Sequence, residues 1–216
     1  MSELQNIASL FGYLLEGAGV TLGVTGIALG TGFLLGTLMA VLRVYGGTVL
    51  SRVATVYSMV IRGVPVVTVI FILYFVIASI IDLSPFLSGA LALGFASGAY
   101  QSEIFRGAIL SVPPGQMIAA RAIGLSRVKA ILHIILPQAI RLAIPAWSNE
   151  VTLVLKDSTL VYVIGVPEIL RRAQYVSAST LQAFLAYGAA AVIFLILTFT
   201  ASRALDVVEH RYRISL

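Results

Sequence analysis

The sequence contains no cysteine, one tryptophan and two histidines. Without cysteine there is neither a disulfide framework nor a thiolate metal site. Charge is also scarce: Asp, Glu, Lys and Arg make up 11% of the 216 residues, against about 25% in average soluble domains. So little charge cannot solvate the surface of a compact globule of this size. Disorder is excluded as well, because it needs low hydrophobicity and high charge. There is no internal repeat and no low-complexity tract. The first 17 residues carry Glu3 and Glu16 but no Lys or Arg, so a cleaved signal peptide with its basic n-region is not expected.

What the chain has in abundance is apolar residues, 59% of the total, with a mean hydropathy of +1.02. This composition is that of an integral membrane protein. A spanning helix needs about 20 mostly apolar residues, and the pattern predicts an all-α membrane protein with five of them in a single domain, 1–216. The spans are expected at about 17–42, 53–81, 86–110, 138–164 and 183–205. Gly46-Gly47 separates the first two, Asp82-Leu83-Ser84-Pro85 the next two, and Pro113-Pro114-Gly115 ends the third sharply. In the first span, Gly19, Gly23, Gly26 and Gly30 form one small-residue face. Gly32, Gly36 and Ala40 form roughly the opposite one. Small residues let helix backbones approach closely in lipid, so two such faces predict packing on two sides.

The net charge of +5 would suggest nucleic acid in a soluble protein, but its placement relative to the spans matters more here. Arg43, Arg52, Arg106, Arg121, Arg127, Lys129, Arg141, Arg203, Arg211 and Arg213 fall on one side of the spans. The other side holds only Lys156, Arg171 and Arg172. The positive-inside rule makes the first side cytoplasmic. The N-terminus is then expected outside and the C-terminus inside, with Arg171-Arg172 as the one discordant pair.

The segment 111–137 is a polar, basic insertion between the third and fourth spans. Gln116 to Ile123 predicts a short alanine-rich helix, with Gly124 in the left-handed position past its end. Ser126 then caps a second helix, which Pro137 ends or kinks. Two short helices on a glycine turn make a bracket suited to a groove on a partner protein. A DNA-binding helix-turn-helix is disfavoured, because spans on both sides leave no third helix to complete it. A loop lying on lipid headgroups through Arg121, Arg127 and Lys129 is the other physical alternative.

At these residues the chain resembles a known family. Ala119-Ala120, Gly124 and Leu136-Pro137 are similar to the cytoplasmic "EAA" loop of permease subunits of bacterial and archaeal ABC importers. Arg62-Gly63-Val64-Pro65, Tyr100 to Ala108, Pro113 to Gln116, Leu136 to Ala139, Asn149-Glu150 and Leu155 to Leu160 resemble motifs of its polar amino acid uptake branch, at agreeing spacings over most of 57–170. The departure is Ile118, where the family usually has the Glu that names the loop. The salt bridge of that Glu is lost here, while the Ala-Ala and Gly geometry remains.

The resemblance implies a type I ABC importer permease fold, located in the cytoplasmic (inner) membrane. It also implies a second permease subunit, identical or different, two ATPase subunits that bind ATP and Mg, and an extracytoplasmic substrate-binding protein. Ala119, Ala120, Arg121, Gly124, Leu125, Ser126 and Pro137 would couple to the ATPase. The chain has no Gly-x-x-x-x-Gly-Lys-Ser/Thr motif, so no nucleotide, and no other cofactor, is expected on this subunit.

Ionisable residues inside spans are costly, about 2.5–3.5 kcal/mol for Arg at a helix centre on insertion scales. They therefore face a partner or a path. Glu103 and Arg106, three apart, predict a structural pair. Arg62, Asn149, Glu150, Lys156 and Asp157 are the candidates for the substrate path, or for an internal ion-pair network. His133 and His210 have no companion at metal-ligand spacing, and Ser158 has no base beside it, so neither a metal site nor an enzyme is expected. The reading is an ATP-driven importer subunit for polar amino acids. The alternatives are an ABC permease for another small ligand, and a small carrier or channel that uses no ATP.

Overall fold

A computed structural model describes residues 3–212; Arg213, counted above among the cytoplasmic cations, lies outside them. The described residues contain no strand. Helix α1 runs Glu3–Tyr45. Its 43 residues extend about 65 Å at 1.5 Å per residue, twice the hydrocarbon thickness of roughly 30 Å. It therefore starts well before the expected boundary at residue 17. The extra turns pack Leu10 and Leu14 against Ile169, Ala173 and Ile193 from the last quarter of the chain.

The second expected span is not one helix. Helix α2, Gly47–Gly63, and helix α3, Val66–Ile81, meet at 107°. Val64 is extended (φ −103°, ψ 135°), because the ring of Pro65 drives the preceding residue out of the helical region. Helix α4, Pro85–Ser111, starts at Ser84, whose hydroxyl accepts from the Leu87 amide at 3.3 Å. It forms the centre of the bundle, packing on α1 most extensively and on α2, α3 and the helix described next but one.

Helix α5, Pro114–Ala122, is followed by the turn at Gly124. Helix α6 is then continuous over Arg127–Ile164. Here the structure differs from the expectation of a second short helix that Pro137 ends or kinks. Proline lacks the N–H for the usual helical bond. The turn Ile131–Ile135 just before it is π-helical, an expansion that absorbs such a defect without breaking the rod. The bracket's second arm is thus the first turns of the next long helix. Helix α7, Ile169–Thr180, and helix α8, Ala183–Tyr212, complete the chain.

Three of these helices (α1, α6 and α8) are long and apolar enough to cross a membrane, or four crossings if the bent pair α2–α3 counts as one. The third expected span, α4, falls short on hydropathy. Among its buried residues are Leu93, Phe105 and Ile109, but most are small or polar, including Ser88, Gly89, Ala92, Ala96, Ser97, Ala99, Gln101 and Ser102, which suit close packing inside protein rather than lipid.

The two small faces of α1 differ in use. A methyl on Gly32 would lie 2.5 Å from Gln101 Nε2, and one on Gly36 2.7 Å from Gln101 Cβ, so this face is where α4 seats. On the other face a methyl at Gly19, Gly26 or Gly30 would meet nothing, and at Gly23 only the ring of Phe86. Close packing on two sides within the chain is therefore not found.

Candidate functional site

Three groupings of polar residues stand out, and α4 carries part of two. In the first, Ser97 donates a 2.6 Å hydrogen bond to Glu150 Oε1 of α6. Behind it, Gln101 Nε2 donates to Ser97 Oγ at 3.0 Å, and Trp147 Nε1 donates to Gln101 Oε1 at 2.8 Å. Ser97, Gln101 and Glu150 are all buried. This chain satisfies groups that would otherwise be costly to bury. Glu150 and Asp157, seven residues apart, lie on one face of α6. Both line a cavity of about 180 Å³ whose other walls include Val66, Leu93, Ser97 and Tyr100. Two carboxylates in apolar walls favour a cationic guest, and the hydroxyl of Tyr100 adds a donor and acceptor.

The second grouping lies further along α4. Glu103 meets three guanidinium groups: Arg43 of α1, Arg62 of α2 at 3.2 Å, and Arg106 at 3.0 Å. Ser58 also donates to Glu103 Oε1 at 3.1 Å. Arg62 further stacks over the ring of Tyr100, 5.6 Å from its centre.

The third is the loop between α5 and α6. Gly124 has φ +89°. The Leu125 amide bonds the Ala120 carbonyl and the Gly124 amide the Arg121 carbonyl, each at 3.1 Å, which is the Schellman pair. The Arg121 side chain straps the turn by donating to the Leu125 carbonyl at 2.8 Å. Ser126 caps α6, accepting from the Lys129 amide at 3.3 Å. Ala120 is buried, while Ile118, Ile123 and Val128 are largely exposed.

The five residues taken together as path candidates are thus separated. Glu150 and Asp157 share the cavity. Asn149 and Lys156 are exposed and do not line it. Arg62 is bound to Glu103 rather than to Glu150, so the Glu103–Arg106 pair is really a cluster of four ions. Ser97 has no signal of its own in the sequence, Tyr100 enters it only as the first residue of a motif, and Arg43 only among the flanking cations. Ser97 is hidden in a run of small residues, and Arg43 reads as an ordinary flanking cation. The discordant Arg172 is paired with Glu16 at 2.7 Å. Among the described residues no three His, Asp or Glu side chains are grouped as a metal site would need.

Residues 32–214 match the family model described as "Binding-protein-dependent transport system inner membrane component". The chain belongs to that family. The glutamine transport system permease protein GlnP of Escherichia coli (strain K12) is 37% identical over 204 residues, 93% of each chain. The octopine transport system permease protein OccQ of Rhizobium radiobacter is 36% identical over 215 residues, 93% of this chain and 91% of its own. Among solved structures, an amino acid ABC transporter with histidines superposes with a TM-score of 0.84 at 31% identity, covering 98% of this permease and 99% of that chain. The MetNI methionine ABC transporter shares the fold, with a TM-score of 0.83 at 19% identity over 99% and 100% of the chains. The permease is thus an inner-membrane transport component with the helical fold of ABC importer membrane subunits.

Proposed function

We propose that this permease carries polar amino acids inward as the membrane subunit of an ATP-driven importer, and that the cavity of Glu150 and Asp157 receives the substrate's cationic group. That cavity is the observation that carries the reading. Every amino acid has an α-ammonium group, and the relatives named above are permeases for glutamine and octopine.

In this reading the chain crosses the membrane five times, with the bent α2–α3 pair and the buried α4 each serving as one crossing. The N-terminus is outside. The pairing of Arg172 with Glu16 supports this, since it reduces the cost of an Arg on the outer side. The loop of α5, Gly124 and Ser126 docks into an ATPase subunit. Ala119, exposed Ile118 and Ile123, and the strap of Arg121 form its contact surface, with Ala120, Leu125 and Pro137 holding its shape. Two ATPase subunits bind ATP and Mg, a second permease subunit completes the pathway, and a binding protein delivers the substrate from outside. Closure of the ATPases moves the loops, and the loops switch the bundle between inward- and outward-facing forms.

Reconstitution of the permease with its ATPase and binding protein in proteoliposomes tests this. ATP-dependent uptake, inhibited by competing polar amino acids, is expected. Uptake that persists without ATP indicates a carrier or channel instead. ATP-driven uptake indifferent to every amino acid indicates another small ligand.

A further inference from the structure

Glu103 is one carboxylate among three guanidinium groups, so the cluster keeps two positive charges that no side chain in it balances. The three arginines are not equally committed. Arg43 is the most buried, with 13% of its side chain exposed, and makes the tightest contact. Arg106 holds Glu103 Oε2 through both Nε and Nη2, at 3.1 and 3.0 Å. Arg62 touches Glu103 through Nη1 alone, and 42% of its side chain is exposed. A guanidinium has five N–H donors, and the remaining donors of Arg62 meet no acceptor among the described residues. They border a second cavity of about 350 Å³, lined also by Arg43, Thr55, Met59, Gly63 and Glu103.

Tyr100 lies between the acidic cavity and Arg62. It lines the acidic one with Glu150 and carries Arg62 of the basic one over its ring. Ser97, at the acidic cavity, and Glu103, in the basic one, are six residues apart on α4, about 9 Å along the axis. Two regions of opposite sign, on either side of one aromatic ring, suit the two charged groups of a zwitterion.

We propose that Arg62 and the cavity beside it form a carboxylate-binding station, which takes the α-carboxylate of the transported amino acid. The station rests on the amino acid reading above. Guanidinium is the natural partner for a carboxylate, through two parallel N–H donors, and Arg62 has them free. Gly63, immediately after it, leaves the cavity wall without a side chain.

The test uses the permease assembled with its ATPase subunits, in nanodiscs of phosphatidylcholine alone. Phenylglyoxal modifies guanidinium groups, and mass spectrometry follows the modification of Arg62 and of exposed Arg203 as a control. The additions are L-glutamine with L-histidine, the α-amides of the same two, and inorganic phosphate. The amino acids are expected to slow modification of Arg62 roughly fivefold at concentrations well above half-saturation, leaving Arg203 unchanged, while the α-amides give no protection. Equal protection by the amides, protection by phosphate without protection by the amino acids, or no protection at all overturns the station. Uptake of the same amino acids by the same proteins in proteoliposomes separates the two claims. Uptake with Arg62 unprotected removes only the station, whereas absence of amino acid uptake removes the transport reading beneath it.

Discussion

The backbone of Gly36 lies against the side chain of Gln101 so closely that a methyl on Gly36 would sit 2.7 Å from Gln101 Cβ. Gln101 in turn holds Ser97 and Trp147. The α1–α4 seam is therefore connected to the acidic cavity through one buried amide. Gly36→Val forces the helices apart or displaces Gln101, and overpacking of this kind costs about 1–3 kcal/mol. Gly26→Val, on the face where a methyl meets nothing, is expected within about 0.5 kcal/mol of wild type. Thermal unfolding of both variants in detergent checks the contrast. Equal losses would show that the seam is not the tighter contact.

Glu103 is the common partner of three arginines. Breaking a fully buried ion pair costs about 3–5 kcal/mol. Glu103 is 26% exposed, so Glu103→Gln is expected to cost less, about 1–3 kcal/mol. Glu16, 66% exposed in its pair with Arg172, is expected to contribute no more than about 0.5 kcal/mol. Unfolding midpoints of Glu103→Gln and Glu16→Gln, measured side by side, test the order.

Much of this organisation was legible in the sequence and part was not, for identifiable reasons. The apolar runs mark α1, α6 and α8, because a spanning helix needs about 20 mostly apolar residues. Gly124 and Ser126 are readable because a left-handed residue and a cap are local requirements. Hydropathy does not separate a helix buried in protein from one facing lipid, so α4 reads as a span yet carries the most polar interior. Proline marks a defect but not its outcome: Pro65 bends the chain by 107°, whereas Pro137 is absorbed by a π turn. The partner of Arg62 is set by which helices touch. No spacing within α2 could reveal that α4 brings Glu103 to it.

Glu168 lies in the connection between α6 and α7, outside the spans, and is fully buried. Its carboxylate caps α7 by accepting from the Leu170 amide at 2.8 Å and the Arg171 amide at 2.6 Å. Burial nevertheless outweighs these donors and pushes its pKa up to about 7. An acid whose pKa is higher folded than unfolded stabilises the fold fully below the unfolded value, about 4.3. That contribution is lost as pH rises through about 7. Wild type is expected to lose unfolding midpoint between about pH 5 and 7, and Glu168→Gln to lose less over the same window. Parallel curves for the two proteins would contradict this.

Gly124→Val places a β-branched residue at φ +89°, a conformation that costs such residues about 1–3 kcal/mol. The turn lies at the surface, so the bundle is expected to remain folded while the loop loses its shape. ATP hydrolysis by the assembled complex should then no longer drive uptake, or the ATPase should fail to co-purify. Normal ATP-driven uptake in this variant would remove the coupling role of the loop.

The most direct measurement of the central claim is substrate uptake by proteoliposomes carrying Glu150→Gln in the otherwise intact importer. The glutamine side chain can still meet Ser97 but carries no charge for an ammonium group. A weaker apparent affinity or slower ATP-driven uptake of amino acids is expected, with the complex still assembled. Unchanged affinity, rate and substrate preference would contradict the assignment of this cavity to the substrate.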